Sequence, residues 1–181
     1  FGDTLYAVNG GIVNESYSGP IYYEGSAYTL TNGSLWRYYF YPQAVNHDVP
    51  YLLTVDRTNN CVIVYGKDQR GLFTVPERAF ICSVGSEGRT PVGVFNTPVK
   101  YRWRELMGGV YGQYSTRIVG KVLFHSVPYL KEDNSTLEYW NYNKLGTADS
   151  HGCIRLTTED AKWIYDCCPL ETTVIIYDGW A

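Results

Sequence analysis

Reactive residue types concentrate in Ser150-His151-Gly152-Cys153-Ile154-Arg155-Leu156. A glycine stands directly before a cysteine, two polar residues precede it, and an arginine follows two positions on. Attack by sulfur needs close backbone approach, N–H donors for a developing oxyanion, and positive charge that favours thiolate over thiol. His125 lies 28 residues earlier, after the apolar run Val122-Leu123-Phe124, and is the candidate general acid and base. The pair predicts an acyl transfer through a cysteine thioester.

Each neighbour receives an expected role. The N–H groups of Gly152 and Cys153 are the natural oxyanion donors, a device typically worth ~3 kcal/mol. The imidazolium of His125, and a helix expected to begin four or five residues after Cys153, would both favour the thiolate. Ser126 is placed to orient the imidazole through its carbonyl or its hydroxyl. His151 adjoins the thiol in sequence, but strand-turn geometry sends neighbours apart, so it is assigned to orientation or substrate contact. Arg155 has two readings, a clamp for a substrate carboxylate or a tie for the cysteine loop. Ser150, Gly146, Tyr114 and Trp140 complete the candidate substrate contacts. The bland readings are a structural cysteine and a satisfied strand-end histidine. Zinc binding by His125, His151 and Cys153 lacks the usual fourth ligand or carboxylate base, so neither metal nor cofactor is expected.

These groups need a scaffold, and the sequence predicts a mainly β one, an antiparallel sandwich or meander with one helix. Strand-like runs cover 52–55, 61–65, 72–75, 79–84, 92–96, 118–124 and 172–177, separated by turn-rich segments such as Asp56-Arg57-Thr58-Asn59-Asn60. Residues 101–107 fit strand or helix equally. Gly108-Gly109 with Tyr111 and Tyr114 reads as an exposed flap. Residues 127–149 form a long polar loop with an aromatic cluster, Tyr139, Trp140 and Tyr142, either a lid or the packing that holds the loop down. Thr157, with Asp160 three residues on, predicts a helix N-terminus, and Ala161, Ile164, Tyr165 and Cys168 fall on one face before Pro169.

The segment from His125 through Gly146 to Ser150-His151-Gly152-Cys153-x-Arg155 resembles the signature of L,D-transpeptidases of the YkuD type. Thr90-Pro91-Val92-Gly93-Val94-Phe95 is similar to a second segment of that family. The resemblance spans roughly residues 50–177. It implies a donor stem tetrapeptide of peptidoglycan, cut between its diamino acid and D-Ala. The acceptor would be the side-chain amine of another stem, giving a 3→3 cross-link, and the thiol would be open to carbapenems. An L,D-carboxypeptidase with water as acceptor shares the same acyl-enzyme. Sortases also run His, Cys, Arg in order, but their arginine lies well beyond +2.

Composition sets the outer limits. With 181 residues, 18% charged, 18 tyrosines, 18 glycines and a net charge of −3, the chain gives no electrostatic case for nucleic acid. It reads as an excised ectodomain whose export signal or anchor has been removed. The aromatic/glycine stretch 1–35 resembles repeats of Gram-positive wall-associated proteins, which implies the outer face of a Gram-positive membrane, and no protein partner is inferred. Residues 51–181 are the expected catalytic domain and 36–50 a linker. Residues 1–35 read as a repeat of period 22 in which Asn9-Gly10 and Asn32-Gly33 mark hairpin turns. With Cys153 set aside, Cys61, Cys82, Cys167 and Cys168 permit three disulfide pairings or none.

Overall fold

Two strands of the domain are apolar without alternation, and the fold explains why. The computed structural model describes residues 6–8, 11–13, 19–23, 26–30 and 45–179, the first four stretches as backbone only. Those four are β1 (Tyr6–Val8) paired with β2 (Gly11–Val13), and β3 (Gly19–Tyr23) paired with β4 (Ser26–Leu30). The repeat gains no support. Tyr23 pairs with Ser26 across the second hairpin, and Asn32-Gly33 lies outside the described residues.

The domain has two sheets. The larger is built from β5 (Tyr51–Asp56), β6 (Cys61–Lys67), β7 (Phe73–Ile81) and β8 (Gly93–Asn96), with the closing strand β13 (Thr173–Tyr177). The smaller contains β9 (Lys100–Glu105), β10 (Tyr111–Val119), β11 (Val122–Ser126) and β12 (Ile154–Leu156). Their orders are β7-β6-β5-β13-β8 and β12-β11-β10-β9. Residues 100–105 are thus strand. The runs 72–75 and 79–84 merge largely into one strand, β7, which tolerates Pro76 because it lies at the sheet edge. Two contacts are parallel, β13 on β5 and β12 on β11.

β5 and β13 sit inside the larger sheet and are covered on both faces. Leu53, Val55, Val174 and Ile176 face the main core, whereas Leu52, Ile175 and Tyr177 join Val45, Val49 and Phe73 on the far face. Strands covered on both faces read as continuous apolar runs. The cover also moves a boundary, because residues 45–50, expected in the linker, belong to the folded body. Asn46 N–H donates to Thr173 Oγ1 at 2.8 Å and its side-chain amide to Glu171 O at 3.0 Å.

One helix, α1 (Thr158–Cys167), closes the main core between the sheets. Thr157 Oγ1 accepts the Asp160 N–H at 3.1 Å, as the sequence predicted. Ala161, Ile164 and Cys168 are buried against Tyr114, Ile118 and Phe124 of the smaller sheet. All five cysteines are free thiols: Cys82 and Cys168 are buried in the core, and Cys167 faces solvent.

Candidate active site

The parallel pairing of β11 with β12 assembles the site. His125 lies opposite Arg155 and Phe124 opposite Ile154, so one step back brings Cys153 beside Leu123. His125, His151, Gly152, Cys153 and Arg155 all line one cavity of about 270 Å³.

His125 is buried at the end of β11, 3% exposed. Its Nδ1 lies 2.6 Å from the Ser126 carbonyl oxygen, which only accepts, so Nδ1 carries the proton and Nε2 is left as the base. Ser126 therefore orients the ring through its carbonyl. Its hydroxyl accepts the Gln113 N–H at 2.9 Å and donates to Val127 O at 2.7 Å. Gly112, on the neighbouring strand, makes room for the ring. A Cβ there would stand 2.8 Å from His125 Cβ. Nothing in the sequence pattern marked that glycine.

The electrostatics differ from expectation. Burial lowers the His125 pKa to about 4, against a raising contribution from the Ser126 carbonyl and a further lowering by Arg155. Burial likewise pushes the Cys153 thiol above its ordinary value, and the Leu123 amide and Arg155 reduce this without reversing it. Burial thus favours the neutral forms of both groups, a thiol and an imidazole on one cavity, over a thiolate and an imidazolium. The thiol donates weakly to Lys121 O at 3.4 Å. Helix α1 does not shift that balance, since β12 intervenes and carries the chain about 10 Å beyond the cysteine before the helix starts.

The cysteine loop is fixed by a small set of buried hydroxyls. Ser150 Oγ accepts the Gly152 N–H at 3.1 Å and donates to Cys153 O at 2.5 Å. Thr90 Oγ1 accepts the Gly85 N–H at 2.7 Å and donates to Gly152 O at 2.8 Å. Gly152 has φ +130°, a region where side chains are strained. This corrects the oxyanion assignment, because the Gly152 N–H is engaged by Ser150. The Cys153 N–H has no acceptor among the described residues and is the donor left open. Thr90 was legible only as part of a family-like segment, and its role needs the fold.

Arg155 is 8% exposed and pairs with Asp149 at 3.1 Å, an acid that Lys144 also holds at 3.1 Å. Its backbone bridges to Ser83, N–H to O and O to N–H, both at 2.9 Å. The loop-tie reading of Arg155 is therefore realised. Its Nε is buried without a partner, and the residue still lines the cavity. His151 lines the same cavity but is exposed, whereas His125 is buried.

Three expected substrate contacts fall elsewhere. Tyr114 is buried in β10, with its ring 5.6 Å from Tyr165 of α1 and the Arg102 guanidinium 3.9 Å above it. The left-handed backbone at Tyr114 (φ +51°) interrupts the alternation of β10 and sends its ring into the core, although Gly112 two residues earlier faces His125. Gly146 donates to Cys82 O at 2.8 Å, in the loop behind the site. Trp140 stacks edge-on with Tyr139 at 5.2 Å on an exposed turn, and neither lines the cavity. Their loop is held instead through Tyr129 and Tyr142, whose hydroxyls meet Thr158 Oγ1 at 2.9 and 3.3 Å. The cavity wall missed by sequence reading is the β9–β10 hairpin tip, where Leu106, Met107 and Val110 face it.

A thiol and a locked imidazole on parallel strands of a two-sheet β fold define a class. The L,D-transpeptidase catalytic domain family (YkuD) matches residues 50–176, and the chain belongs to that family. It is 43% identical over 91 residues to "Putative L,D-transpeptidase YciB" of Bacillus subtilis, covering 48% of this chain and 46% of that protein. The chain thus spans about half the length of that curated relative. A fused zinc-dependent amidase/peptidase and peptidoglycan-binding protein of Clostridium acetobutylicum aligns with TM-score 0.53 and 27% identity, over 71% of this chain and 52% of that one. The fold matches an L,D-transpeptidase of Mycobacterium smegmatis with TM-score 0.57 and 21% identity, over 71% of this chain and 58% of that one. It also matches LdtMt1 in its imipenem complex, with TM-score 0.56 and 20% identity, over 71% and 59% of the two chains.

Proposed function

We propose that this protein is a peptidoglycan L,D-transpeptidase working at the outer face of the membrane, within the cell wall. The observation that carries the reading is the pairing of a thiol with an imidazole whose Nδ1–H is locked and whose Nε2 is unprotonated, on one cavity. Attack by Cys153 Sγ on the carbonyl between the diamino acid and D-Ala transfers the thiol proton to His125 Nε2. The oxyanion forms beside the Cys153 N–H. Collapse breaks the C–N bond, His125 returns the proton to the leaving amine, and D-Ala departs from a thioester. An amine of a second stem, losing a proton to His125, then attacks the thioester and restores the thiol, leaving a 3→3 cross-link.

Family membership and the imipenem complex of the structural relative suggest the probe. Intact-protein mass spectrometry with imipenem should show one adduct, on Cys153, absent in Cys153→Ala. D-Ala release from a soluble tetrapeptide should vanish in the same variant. Release at the parental rate by Cys153→Ala would overturn the proposal. Tripeptide as sole product in the presence of a second stem amine would make the protein an L,D-carboxypeptidase instead.

A further inference from the structure

The donor left open for the oxyanion, the Cys153 N–H, is aimed by a peptide plane rather than by a side chain. The Gly152–Cys153 peptide is a planar trans unit, so its carbonyl and its N–H point in opposite directions. Whatever holds Gly152 O therefore fixes the direction of the Cys153 N–H. The holder is Thr90 Oγ1, which accepts the Gly85 N–H and gives its single proton to Gly152 O. Thr90 ends a loop, 85–90, that runs directly against the cysteine loop. A Cβ on Gly85 would stand 2.7 Å from Gly152 Cα and 2.9 Å from Gly152 N. The Ser86 N–H donates to Ser150 O at 3.0 Å. On its way to Thr90 the loop passes two consecutive left-handed residues, Glu87 (φ +55°) and Gly88 (φ +71°). A glutamate persists there only where its surroundings impose the conformation.

Arg57 supplies the constraint. It follows β5 in the turn to β6 and does not line the cavity. Its Nη1 donates to Thr90 O at 2.5 Å and to Gly88 O at 3.4 Å. Its Nε and Nη2 reach the two carboxylate oxygens of Asp178 at 2.8 and 2.6 Å. A two-pronged pairing fixes the guanidinium plane, which the point charge of a lysine does not do. The parallel register brings the pair together. Asp56 lies opposite Tyr177, so the next residues, Arg57 and Asp178, leave β5 and β13 side by side. The Arg57 N–H also donates to Tyr177 O at 2.9 Å. The anchor therefore stands on the two interior strands of the larger sheet.

We infer that Arg57, with its plane set by Asp178, is a positioning residue for the oxyanion donor. It touches neither thiol nor substrate and acts through Thr90. The contacts run from Asp178 to Arg57, Thr90 and Gly152, and end on the Cys153 N–H. The inference rests on the transpeptidase reading and extends its machinery to the opposite sheet.

Two reagents on the same sulfur test it. Imipenem builds an oxyanion: Cys153 Sγ bonds to the lactam carbonyl carbon, the ring C–N bond breaks, and the thiol proton passes through His125 to the lactam nitrogen. Iodoacetamide forms an S–C bond with loss of iodide and the thiol proton, and builds no oxyanion. Arg57→Gln should slow imipenem acylation about tenfold, part of the roughly 10²–10³ that loss of a whole oxyanion donor costs. Its alkylation of Cys153, read by peptide mapping, should stay close to the parent rate. Arg57→Lys should not restore acylation, and Asp178→Asn should slow it in the same selective way. In a Thr90→Val background, Arg57→Gln should add little further loss, because the path is already cut. Unchanged acylation, equal slowing by both reagents, or losses that add in the double variant would overturn the inference and leave the transpeptidase reading intact. Should Arg57→Gln not fold, the same ratio of rates in Asp178→Asn decides. No imipenem adduct on Cys153 of the parent would overturn both.

Discussion

The five-stranded sheet is covered on both faces, whereas the four-stranded sheet lays one face on the core and turns the other to the cavity. In the first, apolar side chains leave on both sides of β5 and β13 and meet other side chains. In the second, Tyr114, Ile118 and Phe124 face the core while Arg104, Arg117, Leu123 and His125 line the cavity. The difference separates stability from chemistry. Burial of aliphatic area holds the larger sheet, and hydrogen bonds from Ser126, Ser150 and Thr90 hold the geometry at the edge of the smaller one.

The strongest way to break that separation is one truncation in each sheet. Cys153→Ala should abolish turnover and leave the denaturation midpoint nearly unchanged. Leu53→Ala should cost about 2–5 kcal/mol, the range for a buried leucine, without a catalytic defect in the molecules that remain folded. Matching stability losses in the two would end the comparison.

His125 tests the same division by pH. His125→Ala should reduce kcat/KM by about 10²–10⁴. In the parent, a base with a pKa of about 4 keeps activity well below the usual histidine limb near 6.5 and loses it near pH 4. The unfolded chain binds that proton from about pH 6.5 downward and the folded chain only near 4, so stability falls as pH drops through this window. The total is on the order of 3 kcal/mol, and His125→Ala should remove that share of the slope. An acid limb at 6.5 in the rate profile would refute the neutral-pair description.

Thr90 sharpens the comparison more finely. Thr90→Val keeps the shape but removes both hydroxyl bonds, the one from Gly85 N–H and the one to Gly152 O of the cysteine loop, and should slow imipenem acylation about tenfold or more. Thr90→Ser should recover the rate. An equal defect in both variants would mean that methyl packing, rather than the hydroxyl, places Gly152.

The smallest effect concerns the far face of the larger sheet. Removing residues 1–44 should leave the melting of the domain and its activity on soluble peptides close to the parent. Val45→Ala and Val49→Ala should each cost about 1–2 kcal/mol, because both side chains are buried against Leu52 and Ile175. A silent Val49→Ala would return these residues to the linker.

Much of this was local enough for the sequence to fix alone. Thr157 and Asp160 with the apolar face through Cys168 define the helix, because capping and 3.6-residue periodicity are short-range. The order His125, then Ser150-His151-Gly152-Cys153, named the candidate nucleophile and base, and the fold brings them to one cavity. What distance in sequence hides, the tertiary structure decided. Tyr114 and Gly112 both lie on β10, yet one is buried under α1 and the other admits the imidazole, and the left-handed backbone at Tyr114 (φ +51°), which interrupts the strand's alternation, separates them. Val45 and Val49 look like linker residues until the far face of β13 requires a cover. The protonation states of Cys153 and His125 depend on how much water the fold removes from both, and desolvation is a property of the packed site, which no spacing of residue types encodes.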